Sequence, residues 1–217
     1  MLISHKSKKI FISIPKTGST SIMFLLNEKS IHYKPNIYHA SFKEIQNFDN
    51  SLLFNNDLVF SGSFSPFNFF INDINNYSIF SVIREPIERL ISVYYDARLD
   101  KNHDTLRDIS LCPDLNNFFE FYFSINVFDH PRHLWPQNFF IDGVKSNNLK
   151  LYSFKNIQKC YEKLIGIKIF KYKKLPHLRN TNSSNISHKI NSNIIKKLQK
   201  DLRDDYKLYN SLEKISL

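Results

Sequence analysis

Glycine and cysteine are scarce in this chain. It holds four Gly, two Cys, two Met and one Trp among 217 residues. None of the glycines begins a GxxxxGK[ST] run, so a Walker A nucleotide loop is excluded. Cys112 and Cys160 lie far apart with no CxxC or Cys/His ligand spacing, which excludes a zinc site and a disulfide framework and leaves them to pack as small apolar residues. No apolar run approaches the roughly 18 to 20 residues of a membrane span. The stretch IFISI near the N-terminus is too short for a signal-peptide core, and no small-residue cleavage site follows it. The expectation is a protein that starts at Met1 in a reducing compartment, with no transmembrane segment. There is no repeat period and no low-complexity linker, so residues 1–217 are expected to form a single domain.

What is present is aromatic and basic. Hydrophobic residues make up 42%, with 20 Phe and 11 Tyr, enough to build a core and to exclude wholesale disorder. The net charge of +10 is uneven: residues 1–144 carry 13 basic and 15 acidic side chains, net −2, and residues 145–217 carry 17 and 5, net +12. Nucleic acid, an acidic membrane surface, an anionic small molecule or a solvated face would each suit such a region.

Hydrophobic patterning predicts alternating strands and helices. Residues 10–14, 57–61 and 77–83 are apolar, β-branched runs of buried-strand length, and 149–154 forms a shorter one. A helix-compatible apolar stretch covers 22–26. Pro86 opens a second helix, in which Ile87, Leu90, Ile91 and Tyr94 share a face. Further helices are predicted over 115–127, over 155–164 with Gly166 as cap, and as one long helix over 191–214, while 171–187 reads as irregular. The pattern implies an α/β fold with a mostly parallel sheet, in which ligands bind at the carboxyl ends of strands.

Polar loops sit at two of those strand ends. The first is PKTGSTS, residues 15–21. A helix start offers unpaired N–H groups and a positive dipole end, Gly18 lets backbone approach an anion, and Thr17, Ser19, Thr20 and Ser21 add hydroxyls beside the mobile charge of Lys16. This composition suits a phosphate or sulfate, although a polar loop with an N-cap hydroxyl would look the same. The second runs through SVIREPIERLISVYY, residues 81–95. Arg84 leaves a buried strand end and can grip an anion bidentately, or pair with Glu85 or Glu88. Ser92 lies about two turns into the helix that follows.

Together the loops resemble a family. IPKTGSTS after a strand resembles the 5'-phosphosulfate loop of sulfotransferases that use 3'-phosphoadenosine 5'-phosphosulfate (PAPS), and REPIERLIS resembles their 3'-phosphate motif. The likeness is to the branch with heparan sulfate and uronyl 2-O-sulfotransferases and bacterial carbohydrate sulfotransferases. Residues 134–143 (LWPQNFFIDG), 175–181 (LPHLRNT) and 205–209 (DYKLY) are similar to further stretches of that branch. The resemblance implies a P-loop-NTPase-like three-layer fold, a mostly parallel central sheet flanked by helices. It implies transfer of a sulfuryl group from PAPS to a hydroxyl of a glycan, glycolipid or small metabolite, leaving 3'-phosphoadenosine 5'-phosphate (PAP), with no metal and no nucleic-acid partner. With no Golgi-type anchor, the implied setting is bacterial cytoplasm.

Carried over by residue, the resemblance gives Lys16 the bridging oxygen of the leaving group, gives Thr17, Gly18, Ser19, Thr20 and Ser21 the 5'-phosphate, and gives Arg84 and Ser92 the 3'-phosphate. Lys174 and Arg179 are candidates to cover the nucleotide, and Arg89 matches a motif position that could be structural. The branch's general base is a histidine in a GH segment; here the corresponding stretch is FSGSF, with Ser61 and Ser63, and serine has no pKa near neutrality. His39 in YHASFKEI is the nearest substitute, followed by His177 and Glu44. Three alternatives stay open: a nucleotide-binding relative without transfer, a small-molecule kinase, and a nucleic-acid module. A kinase would need Walker spacing and a magnesium-holding Asp, neither of which is seen, and no nucleic-acid motif accompanies the basic charge.

Overall fold

The structure is a computed structural model that describes residues 2–4, 8–26, 39–46, 76–99, 104–165 and 190–215. The predicted strand over 57–61, the Gly166 cap and the irregular stretch 171–187 lie outside the described residues. The chain divides into two compact units, Met1–Ile83 with Asn138–Leu178, and Arg84–Gln137 with Arg179–Leu217.

The first unit is built on a four-stranded sheet: β1 (Leu2–Ser4), β2 (Lys9–Ile12), β3 (Ser78–Ile83) and β4 (Leu149–Ser153), side by side in that order. β2, β3 and β4 are parallel; β2 and β3 are buried almost throughout, as strands covered on both faces are, while β4 (LKLYS) is mostly half-buried. Ile12 pairs with Ser81 and Ile83 with Ser153, so these three strands end on the same edge. β1 adds an antiparallel edge, too short at three residues to show a period in the sequence. Helices α1 (Ser19–Leu26) and α7 (Ile157–Ile165) contribute to a core of Phe11, Ile22, Phe80, Val82, Cys160, Tyr161 and Leu164. Each fully buried apolar side chain of this size contributes about 1.5–3 kcal/mol. Lys9 Nζ donates to the Lys163 and Leu164 carbonyls, a cation at the α7 carboxyl end. A short helix, α2 (Phe42–Gln46), also belongs to the first unit, and α6 (Gln137–Ile141) begins at the unit boundary.

The second unit is helical. α3 (Pro86–Leu99) buries Ile87, Leu90, Ile91 and Tyr94, the predicted face, against α4 (Arg107–Ser110), α5 (Leu115–Ser124), α8 (Ser192–Asp201) and α9 (Arg203–Ile215). Asp114 caps α5 by accepting the Asn117 N–H at 2.9 Å. α5 stops at Ser124, short of the predicted residue 127. Ile125 is extended and the Asn126 side chain takes the Phe128 N–H, a turn that competes with helix.

The predicted long helix over 191–214 is two helices. Leu202 breaks the run at φ −94°, ψ 21°, with its side chain 2% exposed in the core. Just past the break, Asp205 and Tyr206 each meet a distant segment, so tertiary contacts override local helix propensity. Both cysteines are free and buried, as expected.

Candidate active site

The loop after β2 is shaped from within. Ile14 is fully buried, and its carbonyl accepts from Thr17 Oγ1 at 2.9 Å and from Ser19 Oγ at 3.2 Å. Those two hydroxyl protons are therefore directed at backbone. The loop also carries Lys16, Thr20 and Ser21 beside the start of α1. Lys16 sits at φ 64° and Gly18 at φ 77°. Left-handed backbone costs a non-glycine residue about 1–2 kcal/mol, so lysine here is held against a local preference, as strained functional residues are.

Gly18 has a second reason to be glycine. A Cβ there would lie 2.5 Å from Ile157 Cδ1 and 2.8 Å from Phe154 Cε2. The junction of β4 and α7 thus packs directly against the loop. No acidic residue occupies the first turn of α1, which leaves its positive end uncompensated by its own sequence.

His39 meets the same loop from its strand side. Its Nδ1 lies 2.7 Å from the Ser13 carbonyl, which can only accept, so Nδ1 carries a proton and Nε2 is the basic nitrogen of the neutral ring. Ser13 Oγ is 3.4 Å from the same nitrogen. Ser13 lies three residues before Lys16, so one chain segment orients both the candidate base and the candidate cation. Behind His39 the chain is anchored by buried Ala40 and Phe42 and by a capping box at the start of α2. Ser41 N–H and Oγ both donate to Glu44 Oε2 at 2.8 Å, and Glu44 N–H donates back to Ser41 Oγ. The capping box gives Glu44 a place at the start of α2.

In the second unit, Arg84 directly follows the last residue of β3. Its side chain is mostly buried, with Nε 3.8 Å from Glu88 Oε2, and burial pulls its guanidinium below the ordinary value while the Glu88 and Glu85 carboxylates oppose that shift. Its backbone is held on both sides by one side chain: Arg84 N–H donates to Gln137 Oε1 at 2.9 Å, and Gln137 Nε2 donates to the Arg84 carbonyl at 2.8 Å. Glu85 caps α3, its Oε2 accepting the Glu88 N–H at 2.6 Å. The Tyr206 hydroxyl donates to Glu85 Oε1 at 2.5 Å, and burial followed by that bond pushes the Tyr206 phenol up. Ser92 is buried within α3.

Arg89, which sequence left between two roles, is structural. It is fully buried, and its guanidinium donates to the His133 and Trp135 carbonyls at 2.8 and 2.7 Å. The structure places Lys16, Thr17, Gly18, Ser19, Thr20, Ser21 and His39 together in the first unit, and Arg84 and Ser92 in the second. Lys174, His177, Arg179, Ser61 and Ser63 lie outside the described residues.

A family model described as the sulfotransferase family matches residues 1–210. The chain belongs to the sulfotransferase family. That match runs through both units, and the parallel sheet flanked by helices agrees with the sulfotransferase fold. Sulfuryl transfer to a hydroxyl-bearing acceptor is therefore the reaction class. No curated protein and no solved structure gives a significant match. No helix among the described residues of this sulfotransferase is long and apolar enough to cross a membrane.

Sequence reasoning missed the residues that hold the others: Ser13 for His39, Gln137 for Arg84, and Tyr206 for Glu85. The signals were present for two of them, since Gln137 lies in LWPQNFFIDG and Tyr206 in DYKLY. Ser13 acts through its carbonyl, which no side chain announces.

Proposed function

We propose that the protein moves a sulfuryl group from PAPS to a carbohydrate hydroxyl, with residues 1–217 working as one sulfotransferase domain. The family match supports the reaction class. The observation that carries the finer reading is the convergence of Lys16 and His39 on one segment, residues 13–16, at a helix start. The donor set fits a phosphosulfate: a cation, helix-start N–H groups and no acidic side chain in the first turn of α1.

When bound, PAPS supplies an electrophilic sulfur on a phosphate leaving group. Lys16 offsets the negative charge that develops on the leaving oxygen, and the N–H groups at the α1 start hold the 5'-phosphate in place. His39 Nε2 accepts the proton of the attacking hydroxyl, and the Ser13 carbonyl keeps the ring in the tautomer that makes this possible. Arg84 and Ser92 take the 3'-phosphate, while Lys174 and Arg179 cover the nucleotide. A glycan or glycolipid acceptor is favoured by the likeness of the two loops to carbohydrate sulfotransferases, and an acidic one by the net +12 of residues 145–217.

Titration with PAP followed by thermal melting tests the donor. A ligand at 100 times its Kd stabilises the folded state by about 2.7 kcal/mol. No shift with PAP, together with a clear one for ATP and magnesium, would replace this reading with a kinase. His39→Asn tests the base: the amide can still donate to the Ser13 carbonyl, so the PAP shift is expected to persist while the transfer rate falls about 10²- to 10⁴-fold. A near wild-type rate in that variant would remove His39 from the base role.

A further inference from the structure

Two stretches of the chain, 134–143 and 205–209, have no part in the chemistry proposed above, yet both converge on Arg84 and Glu85. Arg84 lies one residue beyond β3, where the ladder with β4 has ended at the pair of Ile83 with Ser153. A backbone at that point has lost its strand partner, and its N–H and carbonyl must find others. The primary amide of Gln137 supplies both, at 2.9 and 2.8 Å, and so imitates one peptide unit of a missing strand. Gln137 is itself fully buried, and its own N–H donates to Asp205 Oδ2 at 2.8 Å. Asp205 is 1% exposed, and its carboxylate favours the charged form of the buried Arg89 against the cost of burial. The next residue along α9, Tyr206, donates its hydroxyl to Glu85. Two consecutive residues of the strand-to-helix turn are thus fixed by side chains 53 and 121 positions away.

We infer that Gln137, backed by Asp205 and Tyr206, is a positioning residue that sets the direction of the Arg84 guanidinium and thereby the preference for a nucleotide bearing a 3'-phosphate. The inference rests on the donor proposed above. A surface arginine on a loose turn would meet any anion through its flexible stem. An arginine with a fixed backbone and a mostly buried side chain has few rotamers left, so it discriminates by geometry. Gln137 touches neither nucleotide nor acceptor in this scheme, and it acts only through the Arg84 peptide groups.

The experiment measures equilibrium binding of PAP and of adenosine 5'-monophosphate by calorimetry, in the full-length wild type and in Gln137→Ala, Gln137→Glu and Tyr206→Phe, with thermal melts alongside. In the wild type, PAP is expected to bind at least tenfold tighter than the monophosphate. Gln137→Ala is expected to weaken PAP about tenfold while the monophosphate changes by less than about twofold, so that the ratio collapses. Gln137→Glu keeps the acceptor for the Arg84 N–H but not the donor for its carbonyl, and an intermediate ratio is expected. Tyr206→Phe removes a single hydroxyl and covers the case in which Gln137→Ala does not fold; its ratio is expected to fall about two- to fivefold. A preserved ratio in variants that merely melt earlier overturns the positioning role and leaves the donor assignment standing. A wild type that does not prefer PAP overturns the donor assignment, and this inference with it.

Discussion

The turns that follow β2 and β3 are made in opposite ways. The first is folded by its neighbours in sequence: Thr17 and Ser19 close onto Ile14, and Lys16 and Gly18 supply the left-handed steps, all within six residues. The second is folded by residues far along the chain, since Gln137, Asp205 and Tyr206 hold Arg84 and Glu85 in place. A turn of the first kind takes its shape from bonds within its own segment. One of the second kind is only as rigid as the hold that Gln137 and α9 keep on the start of α3. The first suits a group that must meet developing charge at one point, and the second suits a group whose task is selection.

Lys16→Ala is expected to separate the two turns most strongly. Removing one preorganised donor to developing charge costs about 10²- to 10³-fold in rate at other sites, and a loss of that order in sulfuryl transfer is expected here. Lys16→Gly should lose as much activity while gaining about 1 kcal/mol of stability, because glycine adopts φ 64° without strain. Denaturant melts beside single-turnover rates check both. If Lys16→Gly is less stable than the wild type, the loop is not held against a backbone preference.

Asp205→Ala probes the long-range turn at its base. It takes a nearby negative charge from the fully buried Arg89 and the Asp205 acceptor from the buried Gln137 N–H, for an expected loss of about 3 kcal/mol. The loss should appear as a lower urea midpoint, and a change under about 1 kcal/mol would mean that the turn is held elsewhere. Gly18→Ala probes the local turn. A methyl within 3 Å of Ile157 and Phe154 at φ 77° is expected to cost about 2 kcal/mol. Ile157→Val in the same chain should recover part of it, as it removes the Cδ1 that the methyl would meet at 2.5 Å.

The same contrast governs what could be read from sequence. Strands β2, β3 and β4 and the buried face of α3 were legible because an apolar run or a repeat of three and four is a local signal that packing reinforces. The loop at residues 15–21 was legible for the same reason, although the destination of the Thr17 and Ser19 hydroxyls was not: a hydroxyl beside a strand end serves backbone or ligand equally well. The break at Leu202 was not legible because the residues just past it answer to partners elsewhere in the fold. The stop of α5 at Ile125 was not legible because the Asn126 turn that competes with the helix is a single side-chain bond inside an aromatic-rich run. Gln137 is the extreme case. Its chemistry is that of an ordinary amide, and its meaning arises only when the end of β3 is laid against it.

The smallest expected effect concerns charge, in which the two turns also differ. Residues 15–21 contain no acid, whereas Arg84 is followed by Glu85 and Glu88. The Glu88 carboxylate lies 3.8 Å from Arg84 Nε and is 51% exposed, so solvent screens the pair and its contribution to stability is small. For an arriving phosphate, however, Glu88 is both a like charge and a competitor for the same guanidinium. Glu88→Gln keeps the shape and removes the charge, and PAP is expected to bind about two- to fivefold tighter, more so at low salt than at high. Binding of adenosine 5'-monophosphate should hardly change, because that ligand has no 3'-phosphate to meet Arg84. Tightening of both nucleotides alike would mean that Glu88 acts through the overall field and not on the Arg84 contact. Weakening of PAP would mean that Glu88 orients the guanidinium, as Gln137 orients its backbone.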